Sequence, residues 1–265
     1  MKNKNKLNNK NIKLIYIIIA GVLVAFLTIL MHIYVKDAVK LSVEKLLKDV
    51  EYLKDKNVNI DITKSKEELE YMVLGKIYWI RAFLKSLLFL MPLGIYHLIF
   101  KESPFWFLSF KNKINKKIIY MGILIIFLIF AGFFIIKPML NMEKIMEKVN
   151  FIAKTKLNYS FMFIYIMFVN AFLEEIFFRG FLYLNLSKYI KEKHANIFSS
   201  VCFGIYHIGM FTSLNIWIAI LASIGLVITG YIFNILNKKR QNIYSSYILH
   251  SCANFAINTI GFIYI

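Results

Sequence analysis

Seven long apolar runs constrain this chain more than any other feature of its sequence. A helix needs roughly 20 mostly apolar residues to cross a bilayer. The composition, with 59% apolar residues and only three prolines, argues against a water-soluble globular domain. The sequence therefore predicts an all-α protein, a polytopic transmembrane helical bundle of about seven spans. The predicted spans are 14–35, 77–100, 118–136, 159–186, 196–213, 215–236 and 243–264.

A basic segment, 1–13, precedes the first apolar run, as the n-region of a signal peptide would. The run is too long for a signal-peptide h-region, however, and no Ala-x-Ala-like cleavage site follows it. We therefore expect a retained membrane anchor behind a basic cytoplasmic arm, 1–13. The rest of the chain divides into an N-terminal membrane scaffold of three spans, 14–158, and a C-terminal membrane core of four spans, 159–265.

The net charge of +18 would suggest a nucleic-acid partner in a soluble protein, but here the lysines mostly flank the spans. No nucleic-acid partner is expected, and the lipid bilayer is the predicted partner of the apolar surface. With seven spans the densest basic segments all fall on one side, which the positive-inside rule makes cytoplasmic. We expect a multi-pass protein of the cell membrane with a cytoplasmic N-terminus, and the Lys-, Asn- and Ile-rich usage is typical of an AT-rich bacterial genome. The dense basic segments are 1–13, 101–117, 187–195 and 237–242.

The loop 36–76 contains nine of the fifteen acidic residues. Apolar residues recur in it at steps of four and three, which predicts an extracytoplasmic amphipathic helix of about 20 residues. Such a helix can lie on the membrane or pack on the rest of the protein, or it can bind a partner or gate a substrate. The apolar stripe consists of Val39, Val43, Leu46, Val50 and Leu53.

Several ionisable residues of the first two spans are interpreted as interfacial. His32 and His97 lie near span ends without a second ionisable partner at helical spacing. Arg81 and Lys85 lie near the start of the second span, where long side chains can extend to the interface. We therefore expect the first three spans to form a scaffold that faces lipid.

Three polar motifs interrupt the apolar runs of the C-terminal core. They pair Glu174 and Glu175 with Arg179, Phe203 with His207, and His250 with Asn254. Ionisable groups within spans are costly, so they usually face a protein interior or a cavity and indicate function. The motifs therefore predict a functional site inside the membrane.

The first motif contains one more carboxylate than a structural ion pair needs. Glu175 precedes Arg179 by four residues, which is the favourable orientation for an ion pair on a helix. Glu174 is rotated about 100° from Glu175 and points elsewhere. We expect Glu175 and Arg179 to support the structure and Glu174 to be free for chemistry.

The three motifs lie at similar depths along their spans, roughly 11–18 Å at 1.5 Å per residue. Glu174 and His207 could orient and deprotonate a water molecule that attacks a peptide carbonyl. His250 and Asn254 share a helix face, and both can donate hydrogen bonds to the resulting oxyanion. The predicted catalytic residues are thus Glu174, His207, His250 and Asn254, with Phe203 beside His207.

The order of the three motifs resembles that in the CAAX-protease and bacteriocin-processing (CPBP, or Abi) family of intramembrane proteases, in particular its Rce1-like branch. The motifs are Glu-Glu-x-x-x-Arg, then Phe-x-x-x-His, then His-x-x-x-Asn. The resemblance covers about 170–260. It implies an intramembrane endopeptidase with a helical-bundle core and a cavity open to the cytosol. It assigns Glu174 and His207 to water activation, and His250 and Asn254 to the oxyanion. The expected substrate is a membrane-anchored or hydrophobic peptide or protein.

The metal requirement and two other functions stay open at the level of the sequence. Family members are commonly called metalloproteases, but a glutamate-dependent mechanism without metal has also been argued, so the cofactor is either Zn²⁺ or none. The candidate metal ligands are Glu174, His207 and His250. The alternatives to a peptidase are a non-catalytic membrane protein that binds or gives immunity to a peptide, and a proton-coupled transporter that uses the same Glu and His cluster.

Overall fold

The computed structural model describes residues 2–56, 66–109, 115–139, 142–153, 155–209 and 216–263. These residues form helices joined by turns and short loops, and no strand occurs among them. The predicted all-α fold is confirmed. The α-helices are α1 (Lys2–Asp55), α2 (Lys66–Lys76), α3 (Tyr78–Phe100), α4 (Lys116–Ile136), α5 (Met142–Ala153), α6 (Lys156–Ile164), α7 (Ala171–Glu174), α8 (Glu192–Ile208), α9 (Ile216–Lys238) and α10 (Tyr244–Ile263).

Five helical segments among the described residues are long and apolar enough to cross a membrane. The chain is therefore a multi-pass membrane protein. The predicted fifth and seventh spans correspond to α8 and α10, which are not among the five, and residues 210–213 and 264 of those spans lie outside the described residues. Helix α8 has only 17 residues, and α10 contains polar side chains that face other helices. The five segments are Asn9–Tyr52, Tyr78–Phe100, Lys116–Ile136, Lys156–Lys188 and Ala219–Lys238.

The predicted amphipathic helix is not separate from the first span. Helix α1 runs for 54 residues without interruption, which corresponds to about 80 Å at 1.5 Å per residue. No proline occurs in it, so nothing in the sequence forces the helix to end where the apolar run ends. Of the predicted stripe, Val39 and Val43 are buried but Leu46 is 45% exposed.

The distal half of α1 packs on the rest of the protein. It contacts α2, where Nζ of Lys66 lies 2.7 Å from Oε1 of Glu44, and α2 in turn packs on α5. This favours the interpretation of the 36–76 segment as a helix that packs on the protein, as far as Asp55. Residues 57–65 of that segment lie outside the described residues.

The segment Lys156–Lys188, which we call the composite helix, changes its hydrogen-bond pattern along its length. It starts as α6, continues through a π-helical stretch at Tyr165–Asn170, returns to α-helix in α7 and becomes π-helical again at Glu175–Asn185. Such i→i+5 bonding is rare and occurs frequently at functional sites. Every residue of the second π-helical stretch is buried, so this stretch lies at the centre of the bundle.

Aromatic rings pack the composite helix against α3 and α8. The Phe178 ring lies 5.7 Å from that of Phe89, 5.2 Å from that of Phe203 and 5.3 Å from that of Tyr206, measured between centroids. Pairs at such distances add about 0.5–1.5 kcal/mol each beyond the area that they bury. This packing fixes the position of the helices that carry the polar motifs.

Buried amides connect α8, α9 and α10. Asn234 donates from Nδ2 to Oδ1 of Asn196 over 2.8 Å, and Asn237 donates from Nδ2 to Oγ of Ser246 over 2.6 Å. The Ser246 backbone N–H donates back to Oδ1 of Asn237 over 3.2 Å. Because these groups are buried, each lost bond would leave an unsatisfied polar atom, so the network favours one arrangement of the three helices.

Candidate active site

Three helices bring Glu174, His207 and His250 together. Oε2 of Glu174, at the end of α7, lies 3.7 Å from Nε2 of His207 on α8 and 3.8 Å from Nε2 of His250 on α10. Glu174 is 2% exposed and His207 is 9% exposed. These distances are too long for direct hydrogen bonds, and a water molecule can bridge such a gap.

The two carboxylate oxygens of Glu174 have different surroundings. Oε1 accepts hydrogen bonds from Nδ2 of Asn170 at 2.8 Å and from the hydroxyl of Tyr206 at 2.9 Å, and it pairs with Nζ of Lys85 at 3.1 Å. Oε2 is buried and has no hydrogen-bond partner in the part of the chain that the structure describes. Oε1 is therefore held in place, while Oε2 keeps its lone pairs for another molecule.

The hydrogen bonds of the two histidines determine which ring nitrogens hold protons. Nδ1 of His207 lies 2.8 Å from the carbonyl oxygen of Phe203, and Nδ1 of His250 lies 2.9 Å from Oε1 of Glu175. A carbonyl and an ionised carboxylate only accept hydrogen bonds, so both Nδ1 atoms are donors. In the neutral imidazoles both Nε2 atoms are then acceptors. Together with Oε2 of Glu174 they form a group of three acceptor atoms that lie close to one another.

Glu175 and Arg179 form the predicted ion pair. Nε of Arg179 lies 3.2 Å from Oε2 of Glu175, and both side chains are fully buried. The guanidinium carbon lies 3.9 Å from the centroid of the Phe203 ring, a favourable cation–π distance. Through Oε1, the same Glu175 also holds His250, which the sequence analysis did not predict.

Phe203 lies beside both histidines. Its ring centroid is 4.5 Å from that of His207 and 6.2 Å from that of His250, with edge-to-face geometry in both cases. The predicted aromatic neighbour of His207 is therefore present. Phe203 also covers Arg179, so one ring separates the ion pair from the imidazole of His207.

Asn254 lies one turn beyond His250 on α10. Its Nδ2 donates to the carbonyl oxygen of Ile166 over 3.1 Å, in the first π-helical stretch of the composite helix. The carboxamide nitrogen has a second N–H that this bond does not use. The structure thus places Asn254 beside the composite helix, on the helix that carries His250.

Three neighbours of Glu174 were not predicted from the sequence. Asn170 lies one turn before Glu174 on the composite helix, so its spacing could have indicated the contact. Tyr206 precedes His207, and a tyrosine in an apolar run gives little signal. Lys85 was expected to extend to the interface, which is wrong, because its ammonium group instead contacts Glu174 from α3.

The charges of these buried groups balance. Glu174 and Glu175 contribute two negative charges, and Lys85 and Arg179 contribute two positive charges. With both imidazoles neutral, the four groups sum to zero. Burying a charged group with an oppositely charged partner costs less free energy than burying it alone. A single ionised carboxylate without such a partner would strongly destabilise this position.

The side chains do not form a metal site as they stand. Among the described residues, no group of three or more His, Cys, Asp or Glu side chains is arranged to hold a metal ion. The ammonium group of Lys85 already provides a positive charge at Glu174, and it would repel a divalent cation. The arrangement gives no support to a zinc site at the candidate ligands Glu174, His207 and His250, and we derive no step through a metal.

Comparison with known proteins supports the motif analysis. Residues 156–256 match a family model described as type II CAAX prenyl endopeptidase, Rce1-like. No curated protein and no solved structure matches the chain. The matched segment starts with the composite helix, ends within α10 and includes Glu174, His207, His250 and Asn254. The predicted resemblance is confirmed: residues 156–256 of this chain are similar to the Rce1-like type II CAAX prenyl endopeptidases.

Proposed function

We propose that this protein is an intramembrane endopeptidase that hydrolyses membrane-associated proteins or peptides, with Glu174 as its general base. One observation carries the proposal. Oε2 of Glu174 has no hydrogen-bond partner among the described residues and faces Nε2 of His207 and of His250 at 3.7 and 3.8 Å. The match to a family of endopeptidases supports the same reaction class.

The converging acceptors suit the activation of water. A water molecule in the gap can donate its two protons to Oε2 of Glu174 and to Nε2 of His207, which leaves the oxygen lone pairs free. As the oxygen attacks a peptide carbonyl, Glu174 takes one proton. The attacked carbonyl becomes a tetrahedral oxyanion.

His250 and Asn254 are the proposed donors to the oxyanion. Because its Nδ1 proton bonds to Glu175, His250 can donate from Nε2 only when the ring is protonated. That form carries one proton more than the neutral ring, which solvent would supply, and its Nδ1 proton lies beside the carboxylate of Glu175. Asn254 can use the N–H that does not bond to Ile166. The proton held by Glu174 then passes to the amide nitrogen as the C–N bond breaks, which releases an amine and a carboxylic acid.

The membrane setting favours substrates that are themselves membrane-associated. The candidate site lies beside α3 and the composite helix, two of the segments that are long and apolar enough to cross a membrane, so a scissile bond reaches it most easily from a segment anchored in the bilayer. Prenylated proteins, leader-bearing bacteriocins and signalling peptides are the candidate substrate classes. We further propose that the N-terminus is cytoplasmic and that the basic segments lie on the cytoplasmic side.

Purified protein in lipid nanodiscs provides the test. Wild type and the variants Glu174→Gln, His207→Asn and His250→Asn would be incubated with a mixture of membrane-anchored peptides, and cleavage products would be identified by mass spectrometry. We expect wild type to cleave and the three variants to lose about 100-fold or more of the rate. Glu143→Gln, which changes an exposed carboxylate, is the matched control and should cleave like wild type. Full cleavage by Glu174→Gln would overturn the proposal.

The same variants separate the proposal from a binding function in native cells. If the protein acts by binding a peptide, Glu174→Gln should retain the cellular effect although no cleavage occurs. If it acts as a peptidase, the cellular effect and the cleavage products should disappear together.

A further inference from the structure

We infer that Lys85, on α3, is a positioning residue of the active site, and that the N-terminal helices are therefore part of the catalytic unit. The inference rests on the proposed function of Glu174. Lys85 lies outside the residues 156–256 that match the family model, so the match gives it no role.

The contacts of Lys85 point into the protein. Its Nζ lies 3.1 Å from Oε1 of Glu174 and 4.9 Å from the centroid of the Tyr206 ring. Its side chain is 16% exposed and that of Glu174 is 2% exposed. Helix α3 packs against both α7 and the second π-helical stretch. This packing holds the backbone of Lys85 in place relative to Glu174.

The simpler interpretation is an interfacial lysine that extends to the membrane surface. Lys85 is seven residues beyond Tyr78, the first residue of α3, or about 10 Å along the helix axis. A lysine side chain could reach the surface from that depth. Here the ammonium group instead contacts the almost fully buried carboxylate of Glu174. A buried carboxylate needs a positively charged partner, and Lys85 provides it.

Lys85 acts on one side of Glu174 only. It holds Oε1 together with Tyr206 and Asn170, while Oε2 faces the two imidazoles. This division keeps the carboxylate charged and directs its free oxygen toward the gap in which the water reacts. Without the ammonium group, Glu174 and Glu175 would share the single positive charge of Arg179.

The test measures kcat and KM per folded molecule for full-length variants in nanodiscs. Lys85→Met keeps the length of the side chain and removes the charge, and Lys85→Gln removes the charge but keeps polarity. We expect kcat to fall about 10- to 100-fold in both, with KM within about twofold of wild type. Lys85→Arg restores the charge and should stay within about fivefold of wild type. Lys116→Met, which changes an exposed lysine, is the control.

Two results would contradict the inference. One is wild-type kcat in Lys85→Met or Lys85→Gln, and the other is a loss in Lys85→Arg as large as that in Lys85→Met. Thermal unfolding in detergent reports whether each variant folds. If neither neutral variant folds, Lys85→Arg decides, since near-wild-type kcat supports the role of the charge and a large loss contradicts it. An inactive Glu174→Gln beside a fully active Lys85→Met rejects only the role of Lys85, whereas an active Glu174→Gln rejects the proposed function itself.

Discussion

Nδ1 of His250 donates to Oε1 of Glu175 over 2.9 Å, and this hydrogen bond connects the buried ion pair to the candidate active site. The other oxygen of Glu175 lies 3.2 Å from Nε of Arg179. Glu175 therefore fixes the orientation and tautomer of His250 while Arg179 compensates its charge.

Removing the charge of Glu175 should affect both catalysis and stability. Glu175→Gln can still accept the Nδ1 proton of His250 but no longer stabilises a protonated ring, so we expect kcat to fall about 10- to 100-fold. It also leaves Arg179 buried without its partner, which should cost about 3–5 kcal/mol of the free energy of unfolding. Enzyme kinetics and thermal unfolding in detergent measure the two effects.

A double variant separates the two effects. Glu175→Gln combined with Arg179→Met removes both charges and should regain much of the lost stability, because neutral replacements of a buried pair are often tolerated. Its kcat should stay low, since His250 still has no charged partner. A double variant with wild-type kcat would show that Glu175 acts only as the partner of Arg179.

The sequence predicted those parts of the site that depend on local spacing. Glu175 and Arg179 lie one turn apart on a single helix, so their contact could be derived from the spacing alone. The contact of Lys85 with Glu174 joins residues that are 89 positions apart, and no helical period indicates it. Which nitrogens of His250 and His207 hold protons depends on their tertiary partners, and a motif does not specify these.

The fold shows the same division between local and tertiary information. Apolar runs predicted where helices form, but the continuation of α1 to Asp55 depends on the absence of a helix breaker and on packing against α2. The second π-helical stretch of the composite helix was not predicted from the periodicity of the sequence, because its residues face protein on every side. Burial removes the contrast between faces from which periodicity is read.

The hydroxyl of Tyr206 should contribute a measurable but smaller part of the rate. It donates to Oε1 of Glu174 over 2.9 Å, and Tyr206→Phe removes this donor while the ring stays packed against His207. We expect kcat to fall about 3- to 10-fold, since Asn170 and Lys85 still hold the same oxygen. Tyr120→Phe, which changes an exposed tyrosine, should leave kcat unchanged. A Tyr206→Phe variant that cleaves like wild type would remove the hydroxyl from the mechanism.

Chelation should leave the activity intact. Among the residues that the structure describes, no group of side chains is arranged to hold a metal ion, and Lys85 already supplies the positive charge beside the carboxylate of Glu174. We expect purified protein to keep at least about half of its cleavage rate after exhaustive treatment with a strong chelator. The measurement pairs the residual rate with elemental analysis of the treated sample. Loss of the rate on chelation and its recovery with Zn²⁺ would show that a metal takes part.

Gly180 should tolerate no side chain, because the composite helix packs closely against Phe107 at this position. A Cβ atom at Gly180 would lie 2.3 Å from carbon atoms of the Phe107 ring, and both residues are buried. We expect Gly180→Ala to lower the free energy of unfolding by about 1–3 kcal/mol, the usual cost of overpacking. Gly94→Ala is the matched control, since a Cβ there meets nothing within 4 Å, and it should stabilise α3 by about 0.5–1 kcal/mol. Thermal unfolding of both variants in the same detergent measures the difference. Equal stability of the two would mean that Phe107 does not pack on the composite helix as described.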